Sequence, residues 1–346
     1  MKNIFLIIGI LFGFALCSCE DSLVNEPPLK KDPVSNFELL WQDFHDYYGL
    51  FEVKKINWDS VYAVYRPQVH EGMSEEQFYT VTTSMLAILN DAHVTLFPTN
   101  PALARWSVDL ENGISHQEDY SFDVVKENYL YSHNQAGQVF DWGWLSDSIG
   151  YIHVDHFMVK IADVDEAMNE IAPALKKAKG IVLDIRDAPG GQDPVGQQLA
   201  GYFAHEKYLY MKTRKRSGPN LTDFTDWTSW WVEPLGGGEL RDKPVVLLTT
   251  RFTGSGAETF SLAMLELPQV VQAGDTTAGA FSDNPSRQLY NGWIFSLSVG
   301  DFRDASGRSH EGKGLVPTLL WENKPEEVKA GKDEALEKAI QHLAAE

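Results

Sequence analysis

The chain has 346 residues, 43% of them hydrophobic, which is an ordinary globular composition and a length suited to about two domains. Its 29 Lys and Arg against 49 Asp and Glu give a net charge of −20, which argues against electrostatic binding to nucleic acid or anionic lipid. Both cysteines, Cys17 and Cys19, lie near the amino terminus. The rest of the chain therefore has no disulfide, thiolate zinc site or catalytic cysteine.

The amino terminus has the pattern of a targeting segment. Lys2 precedes an apolar run over 4–16 that is too short to span a bilayer but is typical of a signal peptide. The Leu16-Cys17-Ser18-Cys19 segment resembles the bacterial lipobox, with Cys19 as the acylated residue, because bulky Leu16 directly before Cys17 fits poorly. We therefore predict a lipoprotein signal peptide over 1–18 and a Pro-containing flexible tether over 19–34.

This segment also sets the expected location. The predicted lipid on Cys19 would anchor the protein in the cell envelope, on the periplasmic side or the cell surface, and no later apolar run is long enough to span a bilayer. The alternative is ordinary secretory cleavage with two incidental cysteines.

Helical periodicity dominates residues 35–98, which we predict to be an α-helical N-terminal domain. The capping box from Ser74 to Gln77 opens a helix that we expect to run to about Leu89. Residues 99–145 are a small mixed connecting region, in which 109–115 and 124–132 have the pattern of strands or turns.

From residue 146 to 346, β-rich runs alternate with amphipathic segments, which predicts an α/β core with a C-terminal helix. Further motifs mark helix starts, with a capping box over 163–166 and Pro194 at a first helical position. The predicted strands are 149–154, 180–185, 208–212, 244–250, 269–273, 290–299 and 314–320, and the predicted helices are 163–177, 194–204, 255–265 and one around 336–343.

Two strand ends have the residue types that acyl transfer needs. Asp184 to Gly191 ends in Pro-Gly-Gly, and paired glycines let main-chain N–H groups face a cleft where they can hold an oxyanion. Ser255 follows a second buried strand at the start of a helix, where unpaired N–H groups favour negative charge. Ser255-x-x-Glu258 is also a capping box, so the serine could simply cap its helix. The two strand ends should line one crevice, which favours the catalytic interpretation.

Five short motifs, in order, resemble the carboxyl-terminal processing (tail-specific) serine peptidase family. Leu89-x-Asp91-Ala92-His93 resembles its histidine-using branch, which is related to the tricorn protease core. The other four are Asp184-x-Arg186-x-x-Pro189-Gly190-Gly191, Ser255-Gly256-Ala257-Glu258, Gly274-Asp275-x-Thr277-x-Gly279 and Glu311-Gly312-x-Gly314-Leu315-x-Pro317. The resemblance implies a ClpP/crotonase-like β-α core domain, peptidase activity and Ser255 as the nucleophile.

The chain departs from this family at positions that bear on mechanism. Ala280 stands where the Ser-Lys branch has its lysine, and Ala188 stands where Asn is common. Because a serine hydroxyl needs an adjacent base, another base must replace the lysine. The resemblance supplies His93, whose imidazole suits proton transfer near neutral pH.

The resemblance also implies the remaining site residues. Glu311 matches the acidic residue of the tricorn-type arrangement and would orient His93, with Asp91 as a local alternative. The main-chain N–H groups of Gly190 or Gly191 and of Gly256 would form the oxyanion hole. We predict a lipid-anchored serine endopeptidase that needs no cofactor or metal, acts on polypeptides and binds no nucleic acid.

A binding protein is the alternative function. A peptidase-like fold that holds peptides or glycans with weak or no turnover would explain Ala188 and Ala280, with Trp227, Trp230 and Trp231 as a stacking platform or as buried packing. A metal hydrolase is disfavoured, because no His-Glu-x-x-His occurs and His153 and His156 would point to opposite faces of a strand. No pattern indicates an oligomeric state.

Overall fold

The computed structural model describes residues 31–111 and 117–345. Its helices are α1 (Pro33–Tyr47), α2 (Phe51–Lys54), α3 (Trp58–Tyr65), α4 (Glu75–Ala87), α5 (Val108–Glu111), α6 (Phe122–Asn128), α7 (Ile161–Ala174), α8 (Asp193–Gly201), α9 (Gly256–Leu265), α10 (Pro325–Lys329) and α11 (Glu334–Ala345). None of these described helices is both long and apolar enough to cross a bilayer. The predicted signal peptide 1–18, Cys19 and most of the predicted tether lie outside the described residues.

The strands in the same residues are β1 (Thr95–Phe97), β2 (Trp106–Ser107), β3 (Ser132–Ala136), β4 (Phe140–Trp144), β5 (Ile149–Val154), β6 (Gly180–Asp184), β7 (Tyr208–Lys215), β8 (Thr228–Val232), β9 (Val245–Thr249), β10 (Val270–Gly274), β11 (Ser286–Gln288), β12 (Ile294–Ser296), β13 (Gly300–Asp304) and β14 (Leu319–Leu320). The fold is α/β, with a helical N-terminal region beside a large sheet, as predicted.

A seven-stranded sheet forms the core, in the order β14-β10-β9-β6-β5-β4-β3. The strands from β14 to β5 pair in parallel, and β4 and β3 extend the sheet with antiparallel pairing. The apolar faces of α7, α8 and α9 cover one side of this sheet, and α11 covers the other. Because both faces are buried, β6 and β9 are apolar nearly throughout.

The helical N-terminal region packs on a second sheet built partly from the far end of the chain. This four-stranded sheet has the order β11-β12-β1-β2, so β12 (Ile294–Ser296), which lies within the predicted core 146–346, pairs with β1. Phe295 and Trp293 are buried in the same apolar cluster as Phe44 of α1. A third, antiparallel sheet of β13, β7 and β8 lies beside the core.

Several local predictions need correction. Helix α1 begins at Pro33, inside the predicted tether, because the Asp32 carboxylate accepts from the main-chain N–H of Ser35 at 2.9 Å. The predicted strand or turn over 124–132 begins inside helix α6 (Phe122–Asn128), because the Ser121 hydroxyl caps this helix. Within the predicted strand 290–299 only Ile294–Ser296 (β12) is a strand, and within 314–320 only Leu319–Leu320 (β14) is a strand.

The capping box at the start of α4 is confirmed. The Gln77 side chain accepts from the main-chain N–H of Ser74 at 2.8 Å, and the Ser74 hydroxyl accepts from that of Gln77 at 3.2 Å. Helix α4 ends at Ala87, and the following turn leads through His93 to β1. The N-terminal helices therefore lead the chain directly into the second sheet.

Candidate active site

Ser255 lies in a strained turn between β9 and α9. Its φ of 52° and ψ of −121° fall outside the regions that residues with a side chain prefer. Such a backbone costs about 1–3 kcal/mol and persists only where the surroundings hold it. The turn places a half-buried serine at the amino end of a ten-residue helix, where the main-chain N–H of Gly256 has no protein acceptor among the described residues.

Glu258 holds this turn in place. Its fully buried carboxylate accepts from the main-chain N–H of Ser255 at 3.0 Å, from those of Gly279 and Ala280 at 2.7 and 2.8 Å, and from the Thr277 hydroxyl at 2.6 Å. Burial raises the pKa of Glu258 to about 7, although all four hydrogen bonds favour the ionised form. Only the glutamate half of the predicted capping box is present, because the Glu258 N–H donates to the Ser255 carbonyl at 2.8 Å and the Ser255 side chain makes no cap hydrogen bond. The Glu258 carboxylate joins the Ser255 turn to the 274–279 motif.

The Pro-Gly-Gly turn lies directly against Ser255. A Cβ atom added to Gly190 would lie 2.7 Å from the Ser255 Cβ and 2.8 Å from the Gly256 nitrogen, and the φ angles of Gly190 and Gly191 are +113° and +142°. Only glycine fits this close approach. The turn is held by the main-chain N–H of Phe157, which donates to the Gly190 carbonyl at 2.8 Å.

The three predicted oxyanion-hole glycines therefore meet at one point. Among the described residues, none of the main-chain N–H groups of Gly190, Gly191 and Gly256 donates to a protein acceptor. Unused N–H groups beside a serine are what a developing oxyanion needs. Parallel strands β6 and β9 bring them together, because Asp184 pairs with Leu248 and both strands end at the same edge of the sheet.

Ser255 opens into a polar cleft of about 540 Å³, lined by Gly191, Asp193, Lys215, Ser255, Ser282, Asp283, Asn284, Pro285 and Val299. Lys215 pairs with Asp283 at 2.9 Å, and the Thr259 hydroxyl donates to Asp193 at 2.7 Å. Burial raises the pKa of Asp193 to about 6. Asp193, Lys215 and Asp283 are not predicted as site residues from the sequence. Asp193 follows the glycine turn closely, but nothing near Lys215 in sequence indicates the cleft.

His93 lies in the turn between α4 and β1 and is buried. The Asp91 carboxylate accepts from its main-chain N–H at 2.9 Å, and the Ser296 hydroxyl donates to its carbonyl at 2.6 Å. Burial lowers the pKa of His93, while the negative charges of Asp91 and Asp283 oppose that shift. Asp283 also lines the Ser255 cleft, so His93 feels the charge of a residue of that cleft. No hydrogen bond joins Ser255 to the His93 ring in this structure.

Glu311 and Asp91 are both buried close to the His93 segment. Glu311 accepts from the main-chain N–H of Phe281 at 2.7 Å and pairs with Lys54 at 2.8 Å. Burial and the Asp91 charge raise the pKa of Glu311 to about 7, and Lys54 opposes them. In the described part of the chain, the His93 Nδ1 is buried without a hydrogen-bond partner. Which carboxylate orients the imidazole therefore stays a prediction.

The remaining sequence candidates have structural partners. The His153 Nε2–H donates to the Asp187 carboxylate at 2.8 Å, and the His153 ring stacks on Phe122 with ring centroids 4.0 Å apart. The effect of burial is outweighed by the Asp141 and Asp187 carboxylates, which raise the pKa of His153 to about 9. No cluster of three or more metal-ligating side chains occurs within residues 31–111 and 117–345. Trp230 is partly buried and donates to Thr213 at 3.0 Å.

Comparison with known proteins assigns the family. The sequence model of peptidase family S41 matches residues 148–320, which is half of the chain and contains Ser255 and the Pro-Gly-Gly turn. The chain belongs to peptidase family S41. A second model, the tricorn protease C1 domain, matches residues 30–87 in the helical region. S41 peptidases are serine hydrolases, and the resemblance to carboxyl-terminal processing peptidases is confirmed.

Individual relatives agree with the S41 assignment. The carboxy-terminal processing protease CtpB of Bacillus subtilis (strain 168) is 24% identical over 173 residues, which are 50% of this chain and 34% of CtpB. Tricorn protease of Thermoplasma volcanium is 26% identical over 57% of this chain and 18% of its own. The chain thus aligns with about a third or less of these relatives.

A solved structure covers nearly the whole of this S41 chain. The crystal structure of a proposed peptidase from Parabacteroides merdae ATCC 43184 superposes with a TM-score of 0.79 at 26% identity, covering 91% of this chain and 97% of that one. The helical region, the second sheet and the core are therefore shared as one arrangement.

Proposed function

We propose that this S41 chain is a serine endopeptidase that hydrolyses peptide bonds of envelope or extracellular polypeptides. The observation that carries the proposal is the strained Ser255 turn, which stands beside the unused N–H groups of Gly190, Gly191 and Gly256 at the mouth of a polar cleft. A serine nucleophile needs this combination of exposure and oxyanion stabilisation. Mutational loss of one such donor typically costs about 10²–10³ in rate.

In this mechanism His93 is the general base. The Ser255 hydroxyl loses its proton to the imidazole as its oxygen attacks the peptide carbonyl, and the carbonyl oxygen becomes an anion held by the glycine N–H groups. The tetrahedral intermediate then expels the amine, which takes the proton from the imidazolium. A water molecule then attacks the carbonyl of the acyl-enzyme, with His93 again accepting and returning the proton, which releases the acyl group and restores Ser255.

The buried carboxylates Glu311 and Asp91 support the base role of His93. A negative charge nearby stabilises the imidazolium that forms during the reaction. We assign Glu311 the orienting role, with Asp91 as its alternative. Hydrogen bonds of catalytic groups are often incomplete without substrate, so we expect the Ser255 hydroxyl and the His93 ring to meet only when the cleft is filled.

Labelling with a fluorophosphonate probe tests this mechanism. The wild-type chain should be labelled at Ser255, Ser255→Ala should take no label, and His93→Asn should be labelled at least about 100-fold more slowly. Ser286→Ala, which removes an exposed serine of β11, is the control and should match the wild type. Label that persists in Ser255→Ala would exclude this serine as the nucleophile.

We also propose that Cys19 carries a lipid that anchors the protein in the cell envelope. Lys2, the apolar run over 4–16 and the Cys19 lipobox support this location. Cells that express the chain with labelled palmitate should incorporate label in the wild type and in Cys17→Ala, but not in Cys19→Ala. Equal incorporation in both variants would refute acylation of Cys19.

A peptide- or glycan-binding protein without turnover is the second candidate. Trp227 and Trp231 favour it, because they are 43% and 42% exposed and could stack on a ligand. A wild-type chain that takes no fluorophosphonate and cleaves no peptide, but binds peptides or glycans in a manner lost in Trp231→Ala, would replace the peptidase proposal.

A further inference from the structure

Lys54, at the end of α2, has a mostly buried ammonium group. Its side chain is 10% exposed, and that of its partner Glu311 is 1% exposed. The Nζ atom lies 2.8 Å from Glu311 Oε1 and donates to the carbonyl of Asn90 at 2.9 Å. Because a buried charge is costly unless it is paired, these two contacts largely determine where the ammonium can lie.

The two partners of Lys54 belong to the two segments that carry the proposed base and its carboxylate. Asn90 begins the turn that leads to His93, and its φ of 43° is unusual for a residue with a side chain. Asp91, next in this turn, accepts from the Tyr48 hydroxyl at 2.8 Å and from the main-chain N–H of His93. Glu311 is fixed on the core side by the Phe281 N–H.

We propose that Lys54 is a positioning residue, which joins Glu311 to the Asn90–His93 turn and so sets the place of the imidazole relative to the Ser255 cleft. This inference rests on the proposed peptidase function. Lys54 does not line the Ser255 cleft, so it is not a substitute for the lysine that the Ser-Lys branch carries at the position of Ala280. Its influence on the reaction passes through His93 and Glu311.

Electrostatics give this role a measurable consequence. The charged groups that act on His93 are Asp91, Asp283, Asp109 and Lys54, and Lys54 is the one that lowers its pKa. Lys54 also lowers the pKa of Glu311. The cavity that adjoins Glu311 is lined by Glu52, Val53, Arg303, Arg308, Ser309, His310 and Lys313. Removal of the Lys54 charge should therefore move the protonation of both groups to higher pH.

The test is the pH dependence of fluorophosphonate labelling at Ser255. Lys54→Met should lower the labelling rate at pH 7 by about tenfold and move the acidic midpoint of the rate to higher pH. Lys55→Met removes the adjacent, exposed lysine and should leave the labelling rate and its acidic midpoint unchanged. Lys54→Arg, which keeps the charge, should restore the wild-type midpoint. A loss of fold stability alone would slow labelling without moving the midpoint.

A milder substitution provides a second test in case Lys54→Met fails to fold. Lys54→Gln keeps a hydrogen-bond donor for the Asn90 carbonyl and should move the midpoint in the same direction as Lys54→Met. If the wild-type protein is labelled at Ser255, and Lys54→Met and Lys54→Gln have the same labelling rate and midpoint as Lys55→Met, the positioning role alone is overturned. Wild-type protein that takes no label at Ser255 would overturn the proposed function and, with it, this role.

Discussion

At the scale of single residues, backbone strain concentrates near the proposed site. In the described part of the chain, Lys55, Asn90 and Ser255 are the non-glycine residues with positive φ. Ser255 is the proposed nucleophile, Asn90 begins the His93 turn, and Lys55 follows Lys54. Such conformations cost free energy and are retained where neighbouring contacts enforce them, which is common at functional sites. The four hydrogen bonds of Glu258 provide that enforcement at Ser255.

Gly190→Ala should lower fluorophosphonate labelling by at least about 100-fold, because the added methyl group would lie 2.6 Å from the Gly254 carbonyl and displace the Ser255 turn. The control is Gly307→Ala, at φ +88° with no atom within 4 Å of the added methyl group. Both variants place a side chain at a positive φ, so this destabilisation is common to the two. A further loss of melting temperature in Gly190→Ala would measure the clash of the added methyl group with its neighbours. Equal labelling in the two variants would show that the close approach is unimportant.

The pH dependence of labelling should have an acidic midpoint below 6.5, the ordinary pKa of histidine, because burial lowers the pKa of His93. The unfolded chain binds more protons at this group below pH 6.5, so His93 also makes the free energy of unfolding rise with pH in that range. Labelling rates measured from pH 4.5 to 8 check the midpoint. A midpoint clearly above 6.5 would contradict a buried neutral base.

At the scale of elements, the pairing of β1 with β12 fixes the His93 turn to the second sheet. The Ser296 hydroxyl donates to the His93 carbonyl, lies 2.7 Å from the Thr95 hydroxyl and accepts from the Thr95 N–H at 3.1 Å. Thr95 and Ser296, about two hundred positions apart in the chain, thus hold the backbone of His93, the proposed base, in place.

Ser296→Ala should lower the free energy of unfolding by about 1–3 kcal/mol, because it leaves buried main-chain groups of His93 and Thr95 without this partner. We expect labelling at Ser255 to slow severalfold as well. Ser286→Ala, at the position of β11 paired with Ser296, is exposed and should change neither quantity. Denaturant unfolding measures the free energy, and labelling kinetics measure the rate at Ser255. If Ser296→Ala changes neither quantity, this contact does not position the His93 turn.

At the scale of the whole molecule, a buried ion triad joins the core sheet to the C-terminal helix. The Arg186 guanidinium contacts Asp184, at the end of β6, at 2.6 Å and Asp333, just before α11, at 2.8 Å. Arg186 lowers the pKa of Asp333 against the effect of burial. Asp184-x-Arg186 of the family motif is therefore structural here, and it supports the strand end that leads to the glycine turn.

Asp333→Asn should destabilise the protein by about 3–5 kcal/mol, because it leaves the buried Arg186 with one carboxylate partner fewer. Glu334→Gln, which breaks a partly exposed pair with Lys338, should leave the unfolding transition nearly unchanged. Chemical denaturation at pH 7 compares the two. A loss in Asp333→Asn no larger than in the control would mean that α11 is held by its apolar face alone.

Local sequence patterns predict most of the core elements and the residues of the Ser255 turn. Strands such as 149–154, the capping box of α4 and the paired glycines depend on local patterns of apolar residues, caps and backbone freedom. The resemblance to the S41 family added His93 and Glu311, whose roles remain proposals. The pattern over 124–132 predicted a strand or turn, and the cap at Ser121 that begins α6 was missed.

The contacts between distant segments are visible only in the folded chain. The pairing of β12 with β1, the contact of Lys54 with Glu311, and the lining of the cleft by Asp193, Lys215 and Asp283 join residues far apart in the chain. No local periodicity encodes such contacts, because they depend on the path of the backbone between them. The edge where β6 and β9 end brings Ser255 and the glycine N–H groups together for the same reason.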